Sequence, residues 1–105
     1  MIERIWHGWT APEDADEYER LLREEILPAF ADTDNEGYRG ARLLRRSDGD
    51  EVEFVTVLRF DDLDAVRAFV GEAYREAHVP PTAREVLSRY DDRAAHYEVR
   101  EEREC

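Results

Sequence analysis

The sequence lacks most of the residues and segments that mark a specialised class of protein. It has one cysteine, Cys105 at the last position, so no disulfide can form within the chain and a reducing compartment is expected. No apolar run is long enough to be interpreted as a signal peptide or a membrane span, so a cytoplasmic protein is predicted. The histidines and the cysteine show no metal-ligand spacing, and no glycine-rich phosphate loop is present. Neither a metal site nor a nucleotide site is therefore predicted.

Lysine is absent, so the 15 basic residues are all arginine, and they face 27 acidic residues for a net charge of -12. This charge argues against nucleic acid and against an anionic membrane as partners, because no basic stripe is present. It fits a salt-adapted cytoplasm or a GC-rich genome, and equally an ordinary solvated acidic surface. The length of 105 residues predicts one domain over 1–100, followed by a charged, frayed tail over 101–105.

The segment Ile5–Trp9 holds both tryptophans and one of the three histidines, on what the alternation predicts to be the first strand. Ile5, His7 and Trp9 share one face, and Arg4, Trp6 and Gly8 share the other. Large aromatic side chains on both faces indicate that both faces are covered. Helices of the same chain can cover one face, while a second sheet, a ligand or a partner subunit must cover the other.

The first half of the chain predicts a strand, a helix and a hairpin. The strand covers about 2–9, and a capping box with Thr10 as N-cap and Glu13 three residues later starts a helix that reaches about Pro28. Residues 38–46 and 51–60 are predicted strands, joined at the turn Ser47–Asp50.

The second half predicts a broken helical region and a last strand. Asp61 or Asp62 caps a helix that stops near Gly71, a further helical piece covers 72–77, and Thr82 caps a short helix. The last strand covers about 95–100.

The resulting order, β-α-β-β-α-β, predicts an α+β, ferredoxin-like fold with an antiparallel sheet. Helices pack on one face of such a sheet and leave the other bare. Because the predicted strands carry apolar residues on both faces, we expect a homodimer that packs sheet on sheet.

Several segments carry a resemblance to a known family across nearly the whole chain. They are Trp9-Thr10 at the strand end, Tyr18, Gly37-Tyr38-Arg39-Gly40, the run Phe60–Phe69, Gly71-Glu72-Ala73-Tyr74 and His96-Tyr97-Glu98-Val99. In these the chain resembles the antibiotic biosynthesis monooxygenases, small dimeric α/β-barrel proteins. The resemblance implies either oxidation of phenolic or polycyclic aromatic substrates to quinones without a cofactor, or degradation of haem.

The haem-degrading branch of that family uses an Asn on the first strand, a Trp on the second helix and a His near the end of that helix. By position, His78 corresponds to the His and Phe69 lies near the Trp, whereas the Asn would fall near Ile5 or Trp6 and is absent. One of the three signature residues therefore matches, and haem is the less favoured alternative.

The candidate site residues each have a structural alternative. His7, His78 and His96 are candidate catalytic bases, but His78 can equally cap a helix C-terminus and the other two can be ordinary sheet histidines. His7 and His96 lie on strands expected to be neighbours, so their rings can share a face. Candidate ligand contacts are Trp6, Trp9, Phe69 and Tyr74, with Tyr18 beside them, and each can instead be core or interface packing.

Two functions follow from these residues. The leading expectation is a cofactor-independent monooxygenase in which a histidine deprotonates a small aromatic substrate before it reacts with oxygen. The alternative is a dimer of the same fold that holds a small ligand without chemistry, as a binding or stress-response module. The predicted fold is compatible with both functions, because a fold alone does not determine activity.

Overall fold

The computed structural model describes residues 1–104, and Cys105 lies outside them. Along the chain the strands are β1 (Ile2–Thr10), β2 (Tyr38–Asp48), β3 (Glu51–Phe60), β4 (Arg89–Tyr90) and β5 (Ala95–Glu98). The helices are α1 (Ala15–Leu21), a π-helical segment (Leu22–Ile26), α2 (Leu27–Ala31), α3 (Leu63–Val70) and α4 (Pro81–Val86). The strands form one antiparallel sheet in the order β2-β3-β1-β4, with β5 also paired to β1. The predicted α+β ferredoxin-like class is confirmed.

The sheet has two chemically different faces. Its helix face presents Ile2, Arg4 and Trp6 of β1 with Phe54, Leu58 and Phe60 of β3, and most of these side chains are buried under the helices. Its open face presents Ile5, His7 and Trp9 of β1 with Glu53, Val55 and Val57 of β3. The predicted division of β1 into two faces is confirmed, and helices of this chain cover one of them.

The start of the first helical region differs from the prediction. Thr10 is the last residue of β1, paired with Val52, and Ala11 rather than Thr10 is the N-cap of the short 3-10 turn Pro12–Asp14. Because Thr10 is held in the sheet by this pairing, it does not serve as the N-cap of the predicted capping box. Thr10 is fully buried, and its hydroxyl has no hydrogen-bond partner among the described residues.

The first helical region passes beyond Pro28 and ends at Ala31. A proline inside a helix has no N–H to donate and crowds the preceding turn. Here the turn before it is widened into the π-helical segment, in which the N–H of Leu27 donates to the carbonyl of Leu22, five residues earlier. The wider turn carries the helix past the proline.

In the second half, the side chain of Asp62 accepts a hydrogen bond of 2.9 Å from the N–H of Ala65 and caps α3, which ends at Gly71 with φ 94°. Both predictions are confirmed. The Thr82 cap is wrong, because Pro80 is the N-cap of α4 and Pro81 its first residue, where a fixed φ suits a helix start. Residues 72–77 form a turn and not a helix, β5 ends at Glu98, and β4 had no signal in the sequence.

None of the described helices combines the length and the apolar character that crossing a membrane requires. Residues 101–104 form no helix or strand and are exposed. The single domain over 1–100 and the frayed tail remain predictions.

Candidate functional site

A cleft lies between the helix face of the sheet and the helical layer, with a cavity volume of about 90 Å³. Trp6 and Leu58 form its floor on the sheet side. Leu22 and Ile26 of the π-helical segment line it from the first helical region, and Phe69 of α3 closes another side. The widened turn next to Pro28 thus borders a cleft that has mostly apolar walls. Such π turns are frequent beside functional sites.

Trp6 is a fixed part of the cleft wall. Its indole N–H donates a hydrogen bond of 2.8 Å to the carbonyl of Asp91, and its ring lies 5.9 Å from that of Tyr90. The ring also approaches Gly8, where an added Cβ would stand 3.0 Å from it. Glycine at that position therefore gives the indole room to lie flat over the strand.

Tyr18 of α1 is the deepest aromatic side chain of the cleft, with 1% of its surface exposed. Its ring meets Phe54 edge to face at 4.9 Å. Burial raises the pKa of the Tyr18 phenol well above its ordinary value. The phenol is therefore neutral at physiological pH, and it can donate a hydrogen bond to a ligand but cannot act as a base.

His78 is exposed on the loop between α3 and α4 and lines the mouth of the cleft, beside Val79 and Pro80. It is the histidine of the described chain that lines this cleft. A neutral imidazole in such a position can bind a metal, accept a proton or hydrogen bond a ligand. The alternative prediction, a helix cap, does not apply, because residues 72–77 form no helix.

His96 and His7 lie on opposite sides of the sheet. His96 pairs with Arg4 across β1 and β5, so it belongs to the helix face, and its Nε2 lies 3.0 Å from Arg4 Nη1. Burial, followed by the charges of Arg4 and Arg75, lowers the pKa of His96. The strands are neighbours as predicted, but the rings do not share a face, because the register places His96 opposite an even-numbered residue.

His7 is on the open face, in a polar cluster. Its Nδ1 lies 2.8 Å from Glu53 Oε2, and Arg46 Nε donates to Glu53 Oε1 at 2.6 Å. The bond from His7 and then that from Arg46 lower the pKa of the Glu53 carboxyl. Trp9 stacks on His7 at 6.1 Å, and Arg89 lies 3.8 Å above the Trp9 ring. The structure therefore does not bring His7 and Trp9 to the cleft.

Tyr74 is also outside the cleft. Its ring meets His96 edge to face at 5.1 Å and lies beneath the guanidinium groups of Arg67 and Arg75. Of the eight residues predicted for the site, the cleft brings together Trp6, Tyr18, Phe69 and His78.

Arg4 is a cleft residue that the sequence analysis did not single out. It is 6% exposed, and its guanidinium donates to the carbonyls of Tyr74 and Glu76. Burial lowers its pKa. The available signal was its place on the strand face of Trp6, where a charged residue interrupts an apolar pattern.

No group of three or more His, Cys, Asp or Glu side chains that could hold a metal occurs within residues 1–104.

The fold is that of several solved structures, although the sequence matches no family model and no curated protein. Rv0793 from Mycobacterium tuberculosis is 19% identical, with TM-score 0.62 and 96% of each chain covered. MhuD from Mycobacterium tuberculosis, a haem degrader with two haems in its active site, is 20% identical, with TM-score 0.65. The match covers 99% of this chain and 100% of that chain. A protein from Bacillus cereus described as an antibiotic biosynthesis monooxygenase is 18% identical, with TM-score 0.60 and coverages of 99% and 94%. The resemblance to antibiotic biosynthesis monooxygenases is confirmed at the level of the fold.

These structures correct the cofactor prediction. MhuD structures hold two haems or two manganese protoporphyrins in the active site, so the expectation of a protein without a cofactor is wrong as a property of this fold. Haem was the less favoured prediction because two of the three signature residues of the haem-degrading branch are missing from the sequence.

Proposed function

We propose that the chain binds a planar aromatic ligand in the cleft. The observation that carries this proposal is the arrangement of flat, fixed aromatic walls, Trp6, Tyr18 and Phe69, around a mostly apolar space with an imidazole, His78, at its mouth. Pockets of this kind, with few polar groups among apolar walls, are the usual sites of small ligands.

The size of the cleft limits how a ligand enters it. An apolar cavity of roughly 150 Å³ is known to hold a benzene molecule. The cleft volume of about 90 Å³ is smaller, and the cleft is partly open, so one ring can enter while the rest of the ligand lies at the mouth near Val79.

Haem is the first ligand to test, and the residues of the site fit its chemistry. His78 offers an uncommitted imidazole to the iron, and Trp6 and Phe69 offer apolar surface to the macrocycle. When bound, haem supplies a redox-active iron. Because the cleft is smaller than the macrocycle, we propose that the loop that carries His78 moves outward when haem enters.

The experiment is a haemin titration followed by absorbance in the Soret region, with wild type, His78→Ala and His7→Ala. His7→Ala is the matched control, because it removes an imidazole from the open face of the same sheet. We expect a saturable Soret shift in wild type and in His7→Ala, and its loss in His78→Ala. A shift that survives His78→Ala, or that His7→Ala abolishes, contradicts the assignment of His78.

Oxygen uptake separates an enzyme from a binding module. We propose a monooxygenase reaction on the bound aromatic ligand, and it predicts that the haem-loaded protein with a reductant consumes oxygen faster than free haemin. The alternative, binding without chemistry, is favoured by one observation: two of the three candidate bases do not line the cleft. His7 contacts Glu53 and His96 contacts Arg4, so His78 is the remaining candidate base at the cleft. Saturable binding with no excess oxygen uptake would support that alternative.

We also propose that a second copy of the chain covers the open face of the sheet. Ile5 and Val55 are only half-buried there, and Leu44 of β2, which pairs with Val55, is 42% exposed. A patch of apolar side chains drawn from three strands is unusual on a free surface. An isologous sheet-on-sheet contact would cover it.

A further inference from the structure

A buried positive charge with no negatively charged partner among residues 1–104 lies in the wall of the cleft. Arg4 is 6% exposed, and its guanidinium is held by two carbonyls and one imidazole: Nη1 donates to Tyr74 O and lies 3.0 Å from His96 Nε2, and Nη2 donates to Glu76 O at 3.2 Å. All of these partners are uncharged when His96 is neutral. No carboxylate of residues 1–104 lies within ion-pair distance of it.

None of the described acidic side chains pairs with Arg4, although the chain has 27 acidic residues. Several exposed arginines are paired, as Arg39 is with Asp61 at 2.6 Å and Arg89 with Glu51 at 2.9 Å, whereas others, such as Arg42 and Arg84, are exposed and have no ion pair among the described residues. Water already solvates such exposed charges, so their pairs contribute little. Among the described arginines that have no ion pair, Arg4 is the one whose side chain is buried, so water compensates its charge least.

Carbonyl dipoles orient the guanidinium but do not cancel its charge. A guanidinium has five N–H donors, and the three contacts above leave two of them without a protein partner. The neighbouring imidazole does not supply a negative charge either, because burial and the charge of Arg4 favour its neutral form. A buried charge without a partner is costly, and an anion that enters the cleft would remove part of that cost.

We propose that the ligand of the cleft is an aromatic acid, whose carboxylate or phenolate pairs with Arg4 while its ring lies against Trp6. This inference rests on the proposed function, because it names the chemical class of the ligand of the same cleft. Charge-assisted hydrogen bonds to a guanidinium are among the strongest in proteins, and they give the ligand a fixed orientation.

A purely structural role for Arg4 makes a different prediction. Its bonds to the carbonyls of Tyr74 and Glu76 also fasten the segment before His78 to β1. If that were its whole role, replacing Arg4 would weaken neutral and anionic ligands alike. Selectivity for charge is therefore the readout that separates the two roles.

The test compares two matched pairs of probes on the full chain. Benzoate and benzamide have nearly the same shape and differ in charge, and their binding is followed by NMR titration of the tryptophan indole N–H signals. Haemin and its dimethyl ester form the second pair, followed in the Soret region, and they show whether the acid group belongs to a small ring or to a porphyrin.

In wild type we expect the acid of at least one pair to bind roughly tenfold or more tightly than its neutral partner, the scale of one charge-assisted bond. Arg4→Gln should abolish this preference and leave the neutral probe bound about as before, whereas Arg4→Lys should keep part of it. Arg39→Gln is the control, because it removes an exposed arginine elsewhere and should leave the preference unchanged.

If Arg4→Gln does not fold, the comparison of the acid and neutral probes on the wild-type protein tests the inference. Equal or tighter binding of both neutral probes overturns this inference and leaves the proposed function standing. Absence of binding by all four probes overturns both.

Discussion

The two faces of the sheet are built from alternate residues of the same strands, yet they have opposite chemistry. On the helix face, Phe54 and Phe60 are 1% and 0% exposed, and the polar residue in the cleft wall, Arg4, is buried. On the open face, His7, Glu53 and Arg46 form a hydrogen-bonded cluster next to half-buried Val55. The helix face is thus completed by its own chain. The open face has its charged groups paired with one another and some apolar side chains left half-exposed, and it is the face to which we assign the proposed second copy.

The largest expected effect is on the helix face. Phe60→Ala should lower the free energy of unfolding by about 3–5 kcal/mol, because it leaves a cavity in a fully packed site. Val55→Ala on the open face should cost about 1 kcal/mol in dilute solution. Urea denaturation of both variants measures the difference. Equal losses would mean that the two faces are equally buried in solution.

Association tests the open face directly. Leu44→Glu should convert the proposed dimer to a monomer, because it places a charge in the apolar patch and opposite Val55. Light scattering coupled to gel filtration gives the mass of wild type and variant. A monomeric wild type would contradict the proposed partner, and an unchanged dimer would place the contact elsewhere.

The cap of α3 gives an effect of intermediate size that concerns the helix face alone. Asp62→Ala should lower the free energy of unfolding by about 1 kcal/mol, because it removes the hydrogen bond to the N–H of Ala65. Asp62→Asn should retain most of the stability, since an amide oxygen can accept the same bond. A loss as large in Asp62→Asn as in Asp62→Ala would mean that charge, and not the hydrogen bond, matters there.

The smallest effect expected is a pH dependence from the helix side. The pKa of His96 is lowered in the folded state by burial and by the charges of Arg4 and Arg75. The unfolded chain therefore binds a proton first as the pH falls through about 6.5, the ordinary pKa of histidine. Stability should be complete above that pH and decrease below it, down to the folded pKa. Thermal unfolding of wild type and His96→Gln between pH 8 and pH 5 measures it, and an identical pH dependence in both would contradict the assignment.

Several turns, caps and helix ends that depend on neighbouring residues were predicted correctly. The register of strands that lie far apart in the chain was not. The Ser47–Asp50 turn, the Asp62 cap and the stop at Gly71 depend on neighbouring residues, and all three are present. Thr10 was predicted as an N-cap from its neighbours in sequence. It is instead the last residue of β1, because it pairs with Val52 of β3, which lies far along the chain. Strand β4 is two residues long and carries no periodicity.

The candidate site shows the same limit. Trp6, Phe69 and His78 were found because aromatic and imidazole groups attract attention wherever they occur. His96 was misplaced relative to His7 because a shift of one residue in register moves a side chain to the other face. Arg4 was missed because alternation alone cannot tell a buried charge from a solvated one.

The two tryptophans allow the most direct test of where the ligand binds, since Trp6 lines the cleft and Trp9 lies on the open face. The indole N–H signals of the two are separable by NMR and can be assigned with Trp6→Phe. On titration with benzoate, and with gallium protoporphyrin as a diamagnetic stand-in for haem, we expect the Trp6 signal to move in a saturable way with at least one probe, and the Trp9 signal to stay in place. Movement of Trp9 alone, or of neither signal with both probes, would contradict the assignment of the ligand site to the helix face.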